Sequence, residues 1–183
     1  MYKVSDIREM FDKDKDDVVL IVVPAARYAQ VNQDILSYLC NEMNYMCIYA
    51  TVNMPYKVIA KTLSSKKINT DNIFFVDAVS GVSVKNDAKN CIFINSPQSL
   101  TEISIAMSQA VNGIKERQKF VFLDSITTLM MYNSHTSVAR FAHFLASKIR
   151  EWNIKGFMIT MQKETDEQFI SELTQFCDKV VML

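Results

Sequence analysis

Polar residues follow most of the apolar runs of this chain, and these strand-end residues are the ones placed to support chemistry. The clearest is Asp124, directly after the apolar run of residues 120–123. A polar group that closes a buried strand costs free energy unless it is paired or used. As a functional group, its carboxylate could hold a metal-bound water beside a nucleotide phosphate. As a structural group, it would cap the next turn or bind backbone amides, helped by Ser125 and Thr127.

The turn after the first apolar run argues against phosphate chemistry. Residues 18–23 read VVLIVV and are followed by PAARYAQVNQ. Many nucleotide-binding α/β domains carry G-x-x-x-x-G-K-[ST] at such a turn. When residues 26–33 are laid on that pattern, both glycines are lost, Asn32 replaces the lysine and Gln33 replaces the hydroxyl that binds magnesium. Without the glycines, backbone amides cannot easily wrap phosphates, so we favour the structural role for Asp124.

Other residues that could carry chemistry form weaker patterns. His135 and His143 are eight residues apart and have no cysteine or carboxylate at ligand spacing, so we predict surface or packing roles and no metal site. The four cysteines contain no C-x-x-C pair and are predicted to be reduced thiols. Ser125 lacks the G-x-S-x-G context of a hydrolase nucleophile.

The elements that must position these residues alternate between strands and helices, which predicts a mostly parallel sheet with helices on both faces, a three-layer αβα fold. The predicted strands are 18–23, 46–52, 73–76, 91–95, 120–123, 156–160 and 179–183. The predicted helices are 5–11, 30–43, 56–63, 100–114, 137–152 and 168–176. We expect residues 1–17 to be a charged lead-in and residues 18–183 to be one domain. The residues of helix 137–152 expected to face inward are Phe141, Phe144, Leu145, Ile149 and Trp152.

Composition and charge argue against binding to membranes and nucleic acids. Lys+Arg and Asp+Glu both number 20, so zero net charge offers no general attraction for nucleic acid or an anionic membrane. No apolar run approaches the ~20 residues of a membrane span, and the N-terminus is charged without a signal-like apolar core. We therefore predict a cytoplasmic protein that does not bind membranes. Nucleic-acid binding is an alternative that the neutral charge disfavours.

Several segments together resemble one family. FVFLDSITTLMMYNS (120–134) resembles the Walker B strand and following segment of RecA/KaiC-like ATPases. The preceding segment LTEISIAMSQAVNGI and the ending GFMIT…ELTQFCDKVVML are similar in placement, and residues 160–162 resemble the Thr-Asn-Gln that closes the corresponding strand. The resemblance covers nearly the whole chain and is closest to archaeal KaiC/RadA-like proteins without assigned activity. It implies a RecA/KaiC-like P-loop NTPase-type fold with a degenerate P-loop.

The departures from that family guide the functional prediction. KaiC-like ATPases commonly place acidic residues after the second strand, one of them the base for the attacking water, whereas this chain has Asn53 and Met54. With the lysine, the magnesium hydroxyl and the base all absent, we predict a pseudo-ATPase without catalytic residues, metal or cofactor. It would act as a regulatory or scaffold protein through protein partners or self-association.

The alternative is an atypical ATP-binding protein or ATPase of the KaiC/RadA type that binds ATP with magnesium. Its site would consist of Arg27, Asn32, Gln33, Asp124 and Gln162, of which Asp124 and Gln162 retain the residue of the family. In the absence of such a site, Arg27 is expected to face solvent or form a salt bridge.

Overall fold

The computed structural model of the chain describes residues 18–81, 88–115 and 118–183. The predicted lead-in 1–17, with its helix 5–11, lies outside the described residues. Within the described residues, none of the helices combines the length and apolarity that crossing a bilayer requires.

The strands form one seven-stranded sheet in the order β4-β3-β2-β5-β6-β1-β7, and all neighbouring strands are parallel. They are β1 (Val18–Val23), β2 (Met46–Thr51), β3 (Ile73–Asp77), β4 (Cys91–Phe93), β5 (Lys119–Asp124), β6 (Lys155–Met161) and β7 (Lys179–Met182). Because all neighbouring strands are parallel, their carboxyl ends lie along the same edge of the sheet, with β2, β5 and β6 in its middle.

Helices connect the strands and cover the sheet. They are α1 (Tyr28–Leu36), α2 (Tyr56–Ser65), α3 (Leu100–Gly113), α4 (Ile126–Tyr132), α5 (His135–Glu151) and α6 (Glu167–Thr174). Short 3-10 turns occur at Ala25–Arg27 and Thr70–Asn72, and a π-helical turn at Ser37–Glu42 continues α1.

Two hydrophobic cores confirm the predicted three layers. Alternate residues of β1 belong to different cores. Leu20 lies in the core that also contains residues of α3, α5 and α6, whereas Ile21 lies in the core that contains residues of α1 and α2. All six residues of β1 are buried, as expected for a parallel strand covered on both faces. The continuous apolar run 18–23 therefore corresponds to a strand with neither face exposed to solvent.

The structure corrects three details of the predicted elements. Helix α1 begins at Tyr28 rather than Gln30. Helix α4 was not predicted: it has only seven residues, of which the first four are buried, so it lacks a clear amphipathic period. Phe144, predicted to face inward, is 45% exposed, because the inner stripe of α5 is formed by Phe141, Leu145 and their buried neighbours.

Candidate functional site at the ends of the central strands

A cavity of about 100 Å³ lies where β2 and β5 end beneath α1 and α2. The register of these adjacent strands places Thr51 beside Asp124. In open parallel sheets ligands bind beyond the carboxyl ends of the strands, so this is the expected location of a site. The lining includes Asn32 and Gln33 from α1, Tyr49 from β2 and Asp124 from β5.

Asp124 is the central polar residue of this cavity and is only 4% exposed. Its Oδ2 accepts a hydrogen bond from the hydroxyl of Tyr49, while its Oδ1 has no hydrogen-bond partner. Burial raises the pKa of Asp124 to about 7, because a carboxylate loses its hydration there. The predicted capping role is wrong: the Ser125 hydroxyl caps α4 by accepting from the Thr128 amide at 3.3 Å.

Tyr49 was not singled out from the sequence, yet it holds Asp124. Its ring stacks on Phe122 at 5.3 Å between centroids and packs against Phe75 at 5.7 Å. Burial, followed by the neighbouring Cys47, raises the pKa of Tyr49, while the Asn32 side chain lowers it. The hydroxyl therefore stays protonated and donates. A tyrosine inside a buried strand needs a hydrogen-bond partner, and this was the sequence signal available.

Helix α1 brings two of the predicted site residues to the cavity. Asn32 is 7% exposed and its Oδ1 is buried without a hydrogen-bond partner. Gln33 also lines the cavity. One turn before Asn32, the buried hydroxyl of Tyr28 lacks a partner too. The connection from β1 to α1 consists of Pro24 and the 3-10 turn Ala25–Arg27.

The other two predicted site residues lie elsewhere. Arg27 is exposed, in agreement with its solvent-facing alternative, and does not line the cavity. The side chain of Gln162 also lies outside the lining; the residue is exposed, and its backbone amide donates to the Val23 carbonyl at 2.9 Å. Thus Asn32, Gln33 and Asp124 come together, whereas Arg27 and Gln162 do not join them.

Asn53 and Met54, which follow β2, form part of the cavity lining and are exposed. Thr51 Oγ1 donates to the Met54 carbonyl at 2.6 Å and holds the turn. The position at which the resemblance would place acidic residues is therefore the solvent-facing mouth of the cavity.

Two further polar groups at the same edge have structural roles. Asp77 is fully buried and accepts hydrogen bonds from the amides of Tyr56 at 2.9 Å and Val79 at 2.8 Å. Thr127, Thr160 and Thr165 join their hydroxyls at 2.8–3.0 Å and link α4 to the end of β6. Since these groups are satisfied by protein atoms, neither is a candidate site.

Both histidines are exposed and each lies beside an aromatic ring, which agrees with the predicted surface or packing roles. His135 lies 4.9 Å from the ring of Phe169, and His143 lies 4.8 Å from that of Phe176, measured between centroids. Across the residues that the structure describes, no group of three or more histidine, cysteine, aspartate or glutamate side chains is arranged to hold a metal ion.

Solved structures with a similar fold support the predicted architecture. The KaiC-like protein PH0186 of the archaeon Pyrococcus horikoshii superposes with a TM-score of 0.67 at 9% identity, covering 92% of this chain and 71% of that one. Uncharacterized protein PH0321 of the same organism, solved with an unknown peptide, gives 0.64 at 12% identity, with 96% and 80% covered. A third solved structure, described as an ATPase domain, gives 0.62 at 13% identity, with 92% and 69% covered. The predicted RecA/KaiC-like fold is therefore confirmed.

Comparison of sequences identifies a family but no function. A family model described as a family of unknown function, DUF7504, matches residues 61–183, more than half of the chain. The matched segment includes Asp124 and ends with the chain, but begins after the β1–α1 turn. No curated protein matches the chain.

Proposed function

We propose that this chain, which belongs to the family of unknown function DUF7504, is a non-catalytic RecA/KaiC-like domain that acts as a regulatory or scaffold protein through protein contacts. The observation that carries the proposal is the size of the cavity at the strand ends. Its volume is about 100 Å³, whereas pockets for cofactors and similar ligands measure roughly 300–1,000 Å³. A cavity below that range supports the proposal that no nucleotide binds there.

The side chains around the cavity explain its small size. Tyr28 and Leu36 from α1 and Tyr49 from β2 line it. The Tyr49 hydroxyl already occupies one oxygen of Asp124, which would otherwise be available to a metal-bound water. A catalytic site for phosphoryl transfer depends on positioning and electrostatic stabilisation, and aromatic side chains supply neither to a triphosphate.

The turn between β1 and α1 also supports the proposal. Pro24 and the 3-10 turn Ala25–Arg27 lead directly into α1, and this stretch contains neither glycine nor lysine. A phosphate loop uses its glycines to expose backbone amides and its lysine to meet the β- and γ-phosphates. The loss of these groups, together with Asn53 in the position of a base, argues against hydrolysis.

A second surface supports a role in protein contacts. A groove of about 590 Å³ runs between α3 and α5, and its lining includes Ile105, Phe141 and Phe144. Ile105 is 53% exposed and Phe144 is 45% exposed. Among the described residues that line the groove, Arg140 is the charged one. This surface therefore suits a partner segment that combines apolar side chains with a carboxylate.

Titration with nucleotides tests the proposal directly. The purified chain is heated in the presence of ATP, ADP or GTP with magnesium, and the same ligands are titrated by calorimetry. A ligand that binds only the folded state must raise the melting temperature. We expect no saturable rise in the melting temperature at millimolar nucleotide.

Light scattering with candidate ATPase relatives then tests association. A strict monomer that binds none of these relatives would contradict the scaffold role.

One observation supports the alternative of an atypical ATPase: Asn32, Gln33 and Asp124 line the same cavity. Measurable ATP turnover that disappears in Asp124→Ala, but persists in the exposed control Asp71→Ala, would establish it and overturn the pseudo-ATPase proposal.

A further inference from the structure

Unpartnered buried oxygens concentrate in the strand-end cavity. Across residues 18–81, 88–115 and 118–183, the buried side-chain oxygens and nitrogens without a hydrogen-bond partner are Tyr28 Oη, Asn32 Oδ1 and Asp124 Oδ1. All three residues line the same cavity of about 100 Å³. Unsatisfied buried polar atoms are rare in folded proteins and call for an explanation, and here one location accounts for every described case.

The charge of the cavity selects the class of ligand. Asp124 supplies a carboxylate, and no lysine, arginine or histidine among the described residues lines the cavity. An ionised carboxylate without a counter-ion in a buried position is costly. An anion would add repulsion, whereas a cation that also donates hydrogen bonds would satisfy the charge and the free oxygens together.

We propose that this cavity binds a primary ammonium group, with Tyr28 Oη, Asn32 Oδ1 and Asp124 Oδ1 as its three acceptors. An alkylammonium has three N–H donors and no acceptor, which matches the number and type of unpartnered oxygens. Tyr28 and Tyr49 also belong to the lining. The proposal rests on the proposed function in one respect, that no nucleotide occupies this cavity.

The remaining walls suit the carbon chain of such a ligand. Leu36, Ile59 and Leu63 also line the cavity and provide apolar contact for methylene groups. Exposed Asn53 and Met54 form its mouth toward solvent. The volume of about 100 Å³ suits a small ammonium group. That group is either a small free amine or the end of a lysine side chain from a partner protein.

The first experiment uses ethylammonium chloride as the probe on the full chain at pH 8 and constant ionic strength. We expect a saturable rise in melting temperature and a calorimetric binding isotherm. Tetramethylammonium chloride, which has the charge but no N–H donor, is expected to produce neither. Nα-acetyl-lysine N-methylamide distinguishes the sources: binding by it supports a partner's lysine, and binding by ethylammonium alone supports a free amine.

Variants connect the binding to the three oxygens. Asp124→Asn keeps an acceptor for Tyr49 but removes the charge, and should weaken ethylammonium binding about tenfold or more. Tyr28→Phe removes a hydroxyl that has no protein hydrogen bond to lose, so it should fold normally and weaken binding about three- to tenfold. The exposed control Asp71→Asn makes the same charge change outside the cavity and should leave binding unchanged.

Four results would overturn the ammonium site: no shift with either amine, an equal shift with tetramethylammonium, saturable binding of potassium or magnesium chloride in place of the amines, or unchanged ethylammonium binding in Tyr28→Phe and Asp124→Asn. None of these concerns nucleotides. Failure of the ammonium site therefore leaves the pseudo-ATPase proposal standing, and ATP turnover would overturn the latter whatever the amines do.

Discussion

The hydroxyl of Tyr49 on β2 donates a hydrogen bond to Oδ2 of Asp124 at the end of the adjacent strand β5. Both residues are buried, at 2% and 4% exposure. In this fold the carboxylate at the end of β5 is thus held by a phenol from the neighbouring strand, and this contact underlies the first two predictions.

Tyr49→Phe is expected to lower the free energy of unfolding by about 1–3 kcal/mol, because it leaves a buried carboxylate oxygen unpaired while keeping the ring contacts. Urea denaturation measures the change. Tyr132→Phe, at a 47% exposed position, is the matched control and should change stability by less than about 0.5 kcal/mol. Equal effects in the two variants would show that the hydrogen bond contributes nothing to stability.

The pH dependence of stability should report Asp124. Burial raises the pKa of Asp124 to about 7 in the folded chain, compared with about 4 when unfolded. Between these values the folded state binds more protons, so this residue's contribution to stability falls as pH rises from about 4 to about 7 and is then constant. Asp124→Asn should be more stable than the parent above pH 7, by at least about 1 kcal/mol.

Urea denaturation from pH 5 to pH 8 checks this prediction, with Asp71→Asn as a control for the change in net charge. The advantage of Asp124→Asn should shrink steadily toward acidic pH. A difference between the variant and the parent that stays constant over this range would mean that Asp124 is ionised throughout, and would contradict a raised pKa.

Gly156→Ala is expected to destabilise the fold by about 1–3 kcal/mol. A Cβ at Gly156 on β6 would meet the Ile149 side chain of α5, with Cγ2 at 2.9 Å and Cδ1 closer still. Ile149→Ala in the same chain should remove the clash, so thermal unfolding of the two single variants and the double variant should show strong non-additivity.

Gly113→Ala is the control for that series. This glycine is the last residue of α3 and a Cβ there would have no neighbour within 4 Å. The substitution should leave stability unchanged or raise it by up to about 1 kcal/mol. Additive effects of Gly156→Ala and Ile149→Ala would rule out the close approach of β6 and α5.

Phe144→Glu should separate association from folding. The ring is 45% exposed and lies in the groove between α3 and α5, so the melting temperature should change little. Any complex that the parent chain forms through this groove should weaken at least about tenfold, because a carboxylate would enter an apolar contact that suits an acidic partner. Light scattering or analytical ultracentrifugation measures the complex.

Met131→Glu provides the comparison, since Met131 is 78% exposed but does not line the groove. Weakening by both variants alike would point to a general effect of added negative charge. If only Met131→Glu weakened the complex, the contact surface would include α4 instead of the groove.

The order of strands and helices was determined by the sequence, because local patterns report burial directly. A strand covered on both faces must be apolar at every position, as in residues 18–23, and a helix over a sheet must repeat its apolar residues at helical spacing. These patterns predicted the parallel three-layer fold, and the resemblance around Asp124 identified its RecA/KaiC-like type. The short helix α4 escaped prediction because its first four residues are all buried, which removes the periodic signal.

Only the tertiary structure decided which of the predicted site residues share a cavity. Asn32, Gln33 and Asp124 meet in one cavity, while Arg27 and Gln162 lie outside it. Such proximity depends on strand order, on register and on the direction of each side chain, and these arise from packing between elements distant in the chain. The partner of Asp124 is Tyr49, 75 residues away. No local pattern encodes that contact, because it exists only once β2 and β5 pair side by side.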